Sequence, residues 1–248
     1  MASTQKLFAV VVGAGPGTGR AAALRFAKAY PVVLLARTPG SYQDTVKEIN
    51  DAGGKAVGIS TDASDIKALE SAFESIGKEL PGHKLAAAIY NASARLAPKP
   101  FLEIKPEEFD ASIDANIRGF FNFAQKALPL LEDAVSSSPH PPSLIVTGAT
   151  ASVKASARFA AFASTKWAKR ALTQSLAREY GPKGVHVAHA VIDGVIDIPK
   201  TAGYSVNGGG EDSKISPDSI AETYWNLHTQ HRSGFTWEVD IRPFIEKW

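Results

Sequence analysis

The sequence contains no cysteine, so it can form neither a disulfide framework nor a thiolate metal site. It also lacks a strong net charge: 27 basic and 25 acidic residues leave +2 at pH 7. So weak a field does not favour nucleic acid or an anionic membrane as a partner. The six histidines show no ligand spacing, and we therefore expect no metal.

Long apolar runs are missing as well. The run at residues 7–12 is too short to cross a bilayer, and no cleavage pattern of small residues follows it. The last four residues match no peroxisomal or retention signal. We therefore expect a cytoplasmic protein without membrane or nucleic-acid partners.

Short runs rich in β-branched residues alternate with longer segments of helical periodicity. This alternation is typical of βαβ units wound into a parallel sheet. We predict seven strands, at residues 7–12, 32–36, 55–60, 86–90, 143–147, 186–191 and 236–240. We predict six helices, at residues 17–29, 41–52, 66–80, 106–131, 155–180 and 216–229. The predicted fold is α/β: one doubly wound (Rossmann) domain over residues 1–248, with a seven-stranded parallel sheet and helices on both faces.

A glycine-rich turn at residues 13–19 follows the first predicted strand and opens the first helix. Glycine lets the backbone turn tightly and approach a pyrophosphate closely, and a helix N-terminus adds N–H groups and a positive dipole. Such a turn alone is a weak signal, since many tight turns carry glycine. Its position in an N-terminal βα unit predicts a dinucleotide site made of Gly13, Gly15, Gly17, Thr18 and Gly19.

The second predicted strand ends at Arg37 and Thr38, with no acidic residue. An acidic side chain there would bond the ribose hydroxyls of NAD and repel a phosphate. Arg37 instead offers a forked cation for the 2′-phosphate of NADP, and the Thr38 hydroxyl can add a bond. The alternative is a solvated surface arginine. We predict NADP(H) as the cofactor.

The spacing of Gly13, Gly17 and Gly19 resembles the G-x-x-x-G-x-G motif of short-chain dehydrogenases/reductases. Further motifs extend this resemblance through most of the chain, in the family's order. Asp62 and Ala63 end the third strand where the family binds adenine, and Asn91 follows the fourth strand as in the family's N-A-G segment. Asn116 matches the family's mid-helix asparagine, and Lys166 matches the lysine of Y-x-x-x-K. The resemblance implies cofactor contacts from Asp62, Ala63, Asn91 and Lys166.

Two positions depart from the family's catalytic pattern. The resemblance implies a tyrosine that protonates the substrate oxygen and a serine that orients it, yet Phe162 and Ala149 occupy these positions. Phenylalanine has no ionisable proton and cannot act as a general acid. Lys166 and Asn116, which in the family hold the ribose and support a water relay, are retained.

Asp193 is the candidate replacement acid. It stands where the family usually has proline, beside the expected position of the nicotinamide. A buried carboxyl there can have a raised pKa and act as an acid. The alternative is an aspartate that only bonds loop amides. Thr147 and Thr150 are further candidates, as hydroxyls in place of the serine.

We predict an NADP(H)-dependent oxidoreductase with atypical acid chemistry, which transfers hydride to an activated C=O, C=C or C=N bond of a small organic substrate. The catalytic candidates are Asn116, Lys166 and Asp193. The alternative is a non-redox NADP(H)-binding protein: a sensor, a cyclase or isomerase, or a regulatory subunit. Retention of Lys166 and Asn116 favours the enzyme over an inert subunit. The resemblance also implies a homodimer or homotetramer formed through the long helices.

Overall fold

The computed structural model describes residues 6–247, so residues 1–5 and 248 of the predicted domain lie outside the described part. Its seven strands are β1 (Leu7–Val12), β2 (Val32–Ala36), β3 (Ala56–Ser60), β4 (Lys84–Tyr90), β5 (Ser143–Thr147), β6 (His186–Ile192) and β7 (Glu238–Ile241). They form one sheet in the order β3-β2-β1-β4-β5-β6-β7, and every neighbouring pair is parallel. The predicted seven-stranded parallel sheet is confirmed.

Helices cover both faces of the sheet. They are α1 (Thr18–Ala27), α2 (Gln43–Asp51), α3 (Ile66–Glu79), α4 (Pro106–Ile113), α5 (Gly119–Ala134), α6 (Ala160–Tyr180) and α7 (Pro217–His228). Side chains of α1, α2 and α7 belong to one apolar core cluster, and side chains of α3, α5 and α6 pack in the other. Within residues 6–247, no helix is long and apolar enough to span a membrane.

The central strands are apolar along their whole length because helices bury them from both sides. All residues of β1 and β6 are buried, whereas β3 and β7 at the sheet edges are partly exposed. Successive side chains in a strand point to opposite faces, so a strand covered on both faces needs apolar residues at nearly every position. Continuous apolar runs therefore marked the inner strands in the sequence.

Two predicted helices have different limits in the structure. The prediction of a helix from residue 155 was wrong, since α6 begins at Ala160. Arg158 has φ 70°, a left-handed conformation that no helix contains, and its carbonyl accepts from the Lys99 amide at 2.9 Å. The helix predicted at residues 106–131 is interrupted by a π-helical turn, Asp114–Arg118, and α5 continues to Ala134.

The sheet reverses its winding direction between β1 and β4. The chain passes from β1 outward to β2 and β3, then returns to β4 and continues outward on the other side. Connections that leave in opposite directions open a crevice at the carboxyl ends of these two strands, where ligands of doubly wound sheets bind. The glycine-rich turn follows β1, and Asn91 follows β4.

Candidate active site

The glycine-rich turn requires several of its glycines for steric reasons. Gly13 and Gly17 have φ values of +81° and +115°, which side-chain-bearing residues rarely adopt. A Cβ on Gly13 would lie 2.5 Å from the Ala92 amide nitrogen, and one on Gly19 would lie 2.3 Å from the Gly13 carbonyl oxygen. The turn thus packs backbone to backbone against the segment after β4.

Gly15 has a different environment. A Cβ built on it would meet no described atom within 4 Å, so this part of the turn faces open space. The N-cap of α1 is Gly17, which has no side chain to satisfy the first N–H groups, and the first turn contains no acidic residue. The buried Thr18 hydroxyl has no hydrogen-bond partner among residues 6–247. An open turn with unpaired donors and a positive helix end fits a pyrophosphate.

Asn91 ties this turn to the centre of the sheet. Its side-chain amide donates to the Gly13 carbonyl at 2.9 Å, and its backbone amide donates to the Val12 carbonyl at 2.8 Å. The side chain is therefore committed to holding the turn. The structure brings the predicted residues Gly13 and Asn91 together.

At the end of β2, Arg37 and Thr38 are exposed. Arg37 makes no ion pair or side-chain hydrogen bond with the rest of the described chain, whereas Arg20 is bound by both oxygens of Glu48, at 2.8 and 2.6 Å. The Thr38 hydroxyl lies 3.1 Å from that of Ser41. Arg37 is thus the arginine at this end of the crevice that is available to an anion.

The predicted adenine residues lie in the turn after β3. Asp62 is exposed, and its Oδ1 accepts from the amide and the hydroxyl of Ser64, at 2.9 and 2.7 Å. Ala63 is buried, and its carbonyl accepts from the Asn122 side chain at 3.2 Å. These bonds fix the backbone of the turn at the rim of the crevice.

A mainly apolar cavity of about 520 Å³ lies at the carboxyl ends of β4, β5 and β6. Ala149, Phe162 and Lys166 all line it, so three of the positions singled out in the sequence meet at one wall. The other walls are formed by the segments after these strands and before α6, at Asn91, Ser93, Leu96, Thr147, Gly148, Thr150, Ala151, Lys154, Ser156, Phe159, Ile192, Gly194, Val195, Ile196, Ile198, Thr201 and Tyr204. Its shape and composition fit a small organic substrate.

Asp193 does not line this cavity, although residues on both sides of it do. Its Oδ2 lies 3.4 Å from Nη2 of Arg242, and its amide donates to the Ile241 carbonyl at 2.8 Å. The structure therefore does not bring the Asp193 carboxyl to Lys166 and Phe162. The Thr147 hydroxyl is also engaged elsewhere, 2.7 Å from the Tyr224 hydroxyl, while Thr150 remains on the cavity wall.

Two lysines of α6 are buried together beside the cavity. Lys166 is only 3% exposed, and its Nζ lies 5.2 Å from the centre of the Phe162 ring. Lys169 is fully buried, with its Nζ 3.3 Å from Oδ1 of Asn116 and 3.4 Å from the Ala92 carbonyl oxygen. The two amines are also neighbours, and each affects the pKa of the other.

Burial changes the acidity of both amines. It lowers the pKa of Lys166 to about 8, although the hydrogen bond to Lys169 acts in the opposite direction. Burial, the charge of Lys166 and the bond to Lys166 together hold the pKa of Lys169 well below its usual range. An ammonium with a pKa near neutrality is a group that can exchange a proton during a reaction.

Asn116 lies in the π-helical turn and is fully buried. Its Nδ2 donates to the Thr165 hydroxyl at 3.2 Å and points to the Ser112 hydroxyl at 3.5 Å. These contacts turn Oδ1 towards Lys169. Tyr90 supports the turn, because its hydroxyl donates to the Ala115 carbonyl at 2.8 Å.

Lys169 is the site residue that the sequence analysis missed. A signal was present, since residues three apart on a helix share a face and Lys169 follows Lys166 at that spacing. Lysine is rarely fully buried, so composition favoured an exposed side chain. Only the packing of α6 against Asn116 and Ala92 identifies it.

Comparisons with known proteins agree with this fold. A model of the short chain dehydrogenase family matches residues 7–204. An uncharacterized oxidoreductase of Staphylococcus aureus (strain USA300) is 27% identical over 236 residues, 95% of this chain and 96% of that protein. A metagenomic short-chain oxidoreductase, solved in complex with NADP, is 26% identical with a TM-score of 0.79, covering 96% of this chain and 98% of that one.

A 3-ketoacyl-(acyl-carrier-protein) reductase from Brucella melitensis, solved with NADH, has the same fold. The TM-score is 0.85 at 23% identity, with 98% of this chain and 99% of that chain covered. Neighbours in fold therefore bind either nucleotide.

The Gly13→Ala and Gly15→Ala variants test whether a side chain is excluded at residue 13 and tolerated at residue 15. We expect Gly13→Ala to lower the free energy of unfolding by about 2 kcal/mol or more, because its φ is positive and its Cβ would meet Ala92. Gly15→Ala should stay within about 0.5 kcal/mol of the parent. Urea unfolding followed by circular dichroism measures both, and equal losses would contradict the geometry.

Proposed function

The chain belongs to the short-chain dehydrogenase family of oxidoreductases, and from this premise we propose that it is an NADP(H)-dependent reductase or dehydrogenase with atypical acid chemistry. Its substrate in this proposal is a small organic molecule with an activated C=O, C=C or C=N bond. The single observation that carries the proposal is that the open glycine turn lies next to the cavity that Lys166 lines.

Asn91 and Ile198 each contact the turn and line the cavity. Ile198 lines the cavity, and its Cγ2 lies 2.8 Å from the position that a Cβ on Gly17 would take. We place the pyrophosphate of a dinucleotide on the turn and its nicotinamide end at the cavity. When bound, the nucleotide supplies or accepts a hydride there.

Each end of the nucleotide has residues that suit it. In this proposal the pyrophosphate lies on the turn formed by Gly13, Gly15, Gly17, Thr18 and Gly19. Arg37 and Thr38 bind the 2′-phosphate, and Asp62 and Ala63 frame the adenine. Asn91 holds the turn, and Lys166 binds the ribose next to the cavity. Arg37 supports NADP over NAD because an unpaired guanidinium suits a phosphate.

The residues of the cavity wall suggest which kind of double bond the substrate carries. We place Phe162 and Ala149 at the family's tyrosine and serine positions, and neither side chain has a proton to donate. Loss of positioned acid catalysis costs about 10²- to 10⁴-fold in rate. An iminium carbon needs no proton when it accepts hydride, and a conjugated carbonyl can take its proton after hydride transfer. Both tolerate this wall better than a simple ketone does.

We further propose that residues 1–248 act as one cytoplasmic domain that associates as a homodimer or homotetramer. The seven strands share one sheet, which supports a single domain. Large apolar side chains on α5 and α6, Phe121 and Trp167, are exposed and support association through these helices.

Deuteride transfer tests the proposed activity. NADPH deuterated at C4 is offered with matched ketone, enone and iminium substrates, and product mass is measured. We expect label in the enone or iminium product at a rate at least about tenfold above the ketone, because neither Phe162 nor Ala149 can donate a proton to a ketone oxygen. Gly15→Asp is the control, since its carboxylate points into the open turn and should abolish binding.

Two other outcomes of this experiment decide against the activity. NADPH binding without label transfer to any substrate would support a non-redox role, such as a sensor or an isomerase. Absence of binding to either nicotinamide nucleotide would refute the whole proposal.

Arg37→Gln tests the choice of cofactor. We expect NADPH affinity to fall about tenfold or more, because the variant loses a charge-assisted bond to the 2′-phosphate, while NADH affinity changes less than about twofold. Calorimetric titration with both nucleotides measures this. Arg178→Gln, an exposed arginine on α6 far along the chain from β2, is the matched control. Equal losses of affinity for NADPH and NADH would show that Arg37 does not bind the 2′-phosphate.

The double variant Ala149→Ser with Phe162→Tyr tests the missing acid. We expect it to gain ketone reduction by about a hundredfold or more, because a phenol beside Lys166 can protonate a carbonyl oxygen. Ketone-dependent oxidation of NADPH, followed by absorbance, measures the gain. If the variant binds NADPH yet gains no ketone activity, the shape of the cavity sets the limit.

A further inference from the structure

Lys169 is a buried amine that contacts no carboxylate among residues 6–247. Its Nζ contacts two neutral oxygens, the Ala92 carbonyl at 3.4 Å and Asn116 Oδ1 at 3.3 Å, and the Lys166 amine is its neighbour. An isolated buried charge is costly, and a buried amine normally loses its proton instead. Neither oxygen carries a full charge that could offset an ammonium.

The other groups that face Lys169 supply no anion either. The Tyr90 ring of β4 lies 5.6 Å from Nζ, and burial raises the pKa of its phenol, which stays neutral. From β6, His189 faces α6, and burial lowers its pKa to about 4, so it is neutral at pH 7. The Glu238 carboxylate beyond it is bound by both Nε and Nη2 of Arg170, at 2.6 and 2.7 Å.

Hydrogen-bond accounting gives the same protonation state. Two ammonium groups have only donors and cannot bond to each other, so a hydrogen bond between these two amines requires that one of them is neutral. A neutral amine has two N–H donors and one lone pair. At Lys169 the two donors match Ala92 and Asn116, and the lone pair matches the Lys166 ammonium. The orientation of Asn116 is supported by Thr165, whose hydroxyl donates its proton to the Phe162 carbonyl at 3.0 Å and accepts from Asn116 Nδ2.

We propose that Lys166 and Lys169 share a single proton, with Lys169 as the neutral acceptor, and that this pair is the proton source of the candidate site. Lys166 lines the cavity and is the catalytic member, whereas Lys169 acts through it and is a positioning residue. In this proposal the pair takes the place of the tyrosine phenol that Phe162 lacks, because Phe162 lies one helical turn before Lys166. This inference rests on the proposed function.

The reaction step balances for a conjugated carbonyl substrate. The substrate carbon accepts a hydride that the reduced nicotinamide nucleotide of the proposed function supplies, and the substrate becomes an enolate. An N–H bond of the Lys166 ammonium breaks, its proton passes to the enolate, and the product is neutral. The Lys166 amine then takes a proton from solvent at the cavity mouth, which restores the pair.

Titration of the protein without nucleotide tests the pair directly. Lysines labelled with ¹³C at Cε are followed by NMR from pH 5 to 11, and the Lys166 signal is assigned by its loss in Lys166→Met. We expect a Lys166 midpoint of about 8 in the parent. In Lys169→Met the midpoint should fall by about one pH unit, because the ammonium loses its acceptor.

The sign of this change is decisive. If Lys169 were itself charged, its removal would relieve repulsion and the Lys166 midpoint would rise, which would overturn the inference. An unchanged midpoint would overturn it as well. Lys169→Gln keeps an oxygen acceptor and should restore the parent midpoint. Thr173→Val, which removes a buried hydroxyl that donates to the Lys169 carbonyl, is the packing control and should leave it in place.

The pH dependence of deuteride transfer gives a second readout. In the parent the rate should fall as pH rises through about 8, as the Lys166 ammonium is lost. In Lys169→Met this fall in rate should shift to lower pH by the same amount as the NMR midpoint. The rate at pH 7.5 should then be about threefold lower than in the parent. Transfer with an unmoved limb refutes the pair as proton source and leaves the proposed function standing. Absence of transfer in the parent refutes the proposed function, while the titration still decides the shared proton.

Discussion

The contact between the backbone of Gly13 and the segment at Asn91 and Ala92 holds the candidate site together. It joins the end of β1 to the end of β4 at the point where the sheet reverses its winding. Asn91 bonds to the Gly13 carbonyl, and the Ala92 carbonyl accepts from Lys169. The segment at Asn91 and Ala92 therefore positions both the glycine-rich turn and the Lys169 amine. A movement of this segment would displace both.

In the proposed lysine pair, two buried lysines place only one positive charge in the core. Two amines lie between α6 and the sheet, yet sharing one proton leaves a single charge, next to the cavity and near solvent. The π-helical turn helps, because it widens the helix where Asn116 presents an oxygen to Lys169. Such turns occur often at functional sites, where a side chain must be re-aimed without breaking the helix.

The fold and the site differ in how far the sequence predicts them. Strands buried on both faces are apolar throughout, and apart from the two altered helices most element ends lie within two residues of their predicted positions. Two features depend instead on contacts between distant segments: the late start of α6, where Arg158 bonds to Lys99, and the turn at Asn116. Asp193 shows the same limit, since the neighbouring Arg242 lies far along the chain and is the group its carboxyl faces.

Phe162 and Lys169 both affect the charge of Lys166. With phenylalanine there, the Lys166 ammonium has an aromatic face 5.2 Å away and no phenol oxygen to accept its proton. A cation–π contact stabilises a charge less than a direct hydrogen bond in a desolvated site does. The Lys169 amine offers that hydrogen bond from the opposite side. A chain with Phe162 but an apolar residue at 169 would hold a weaker base at Lys166, so the second lysine preserves the charge of Lys166.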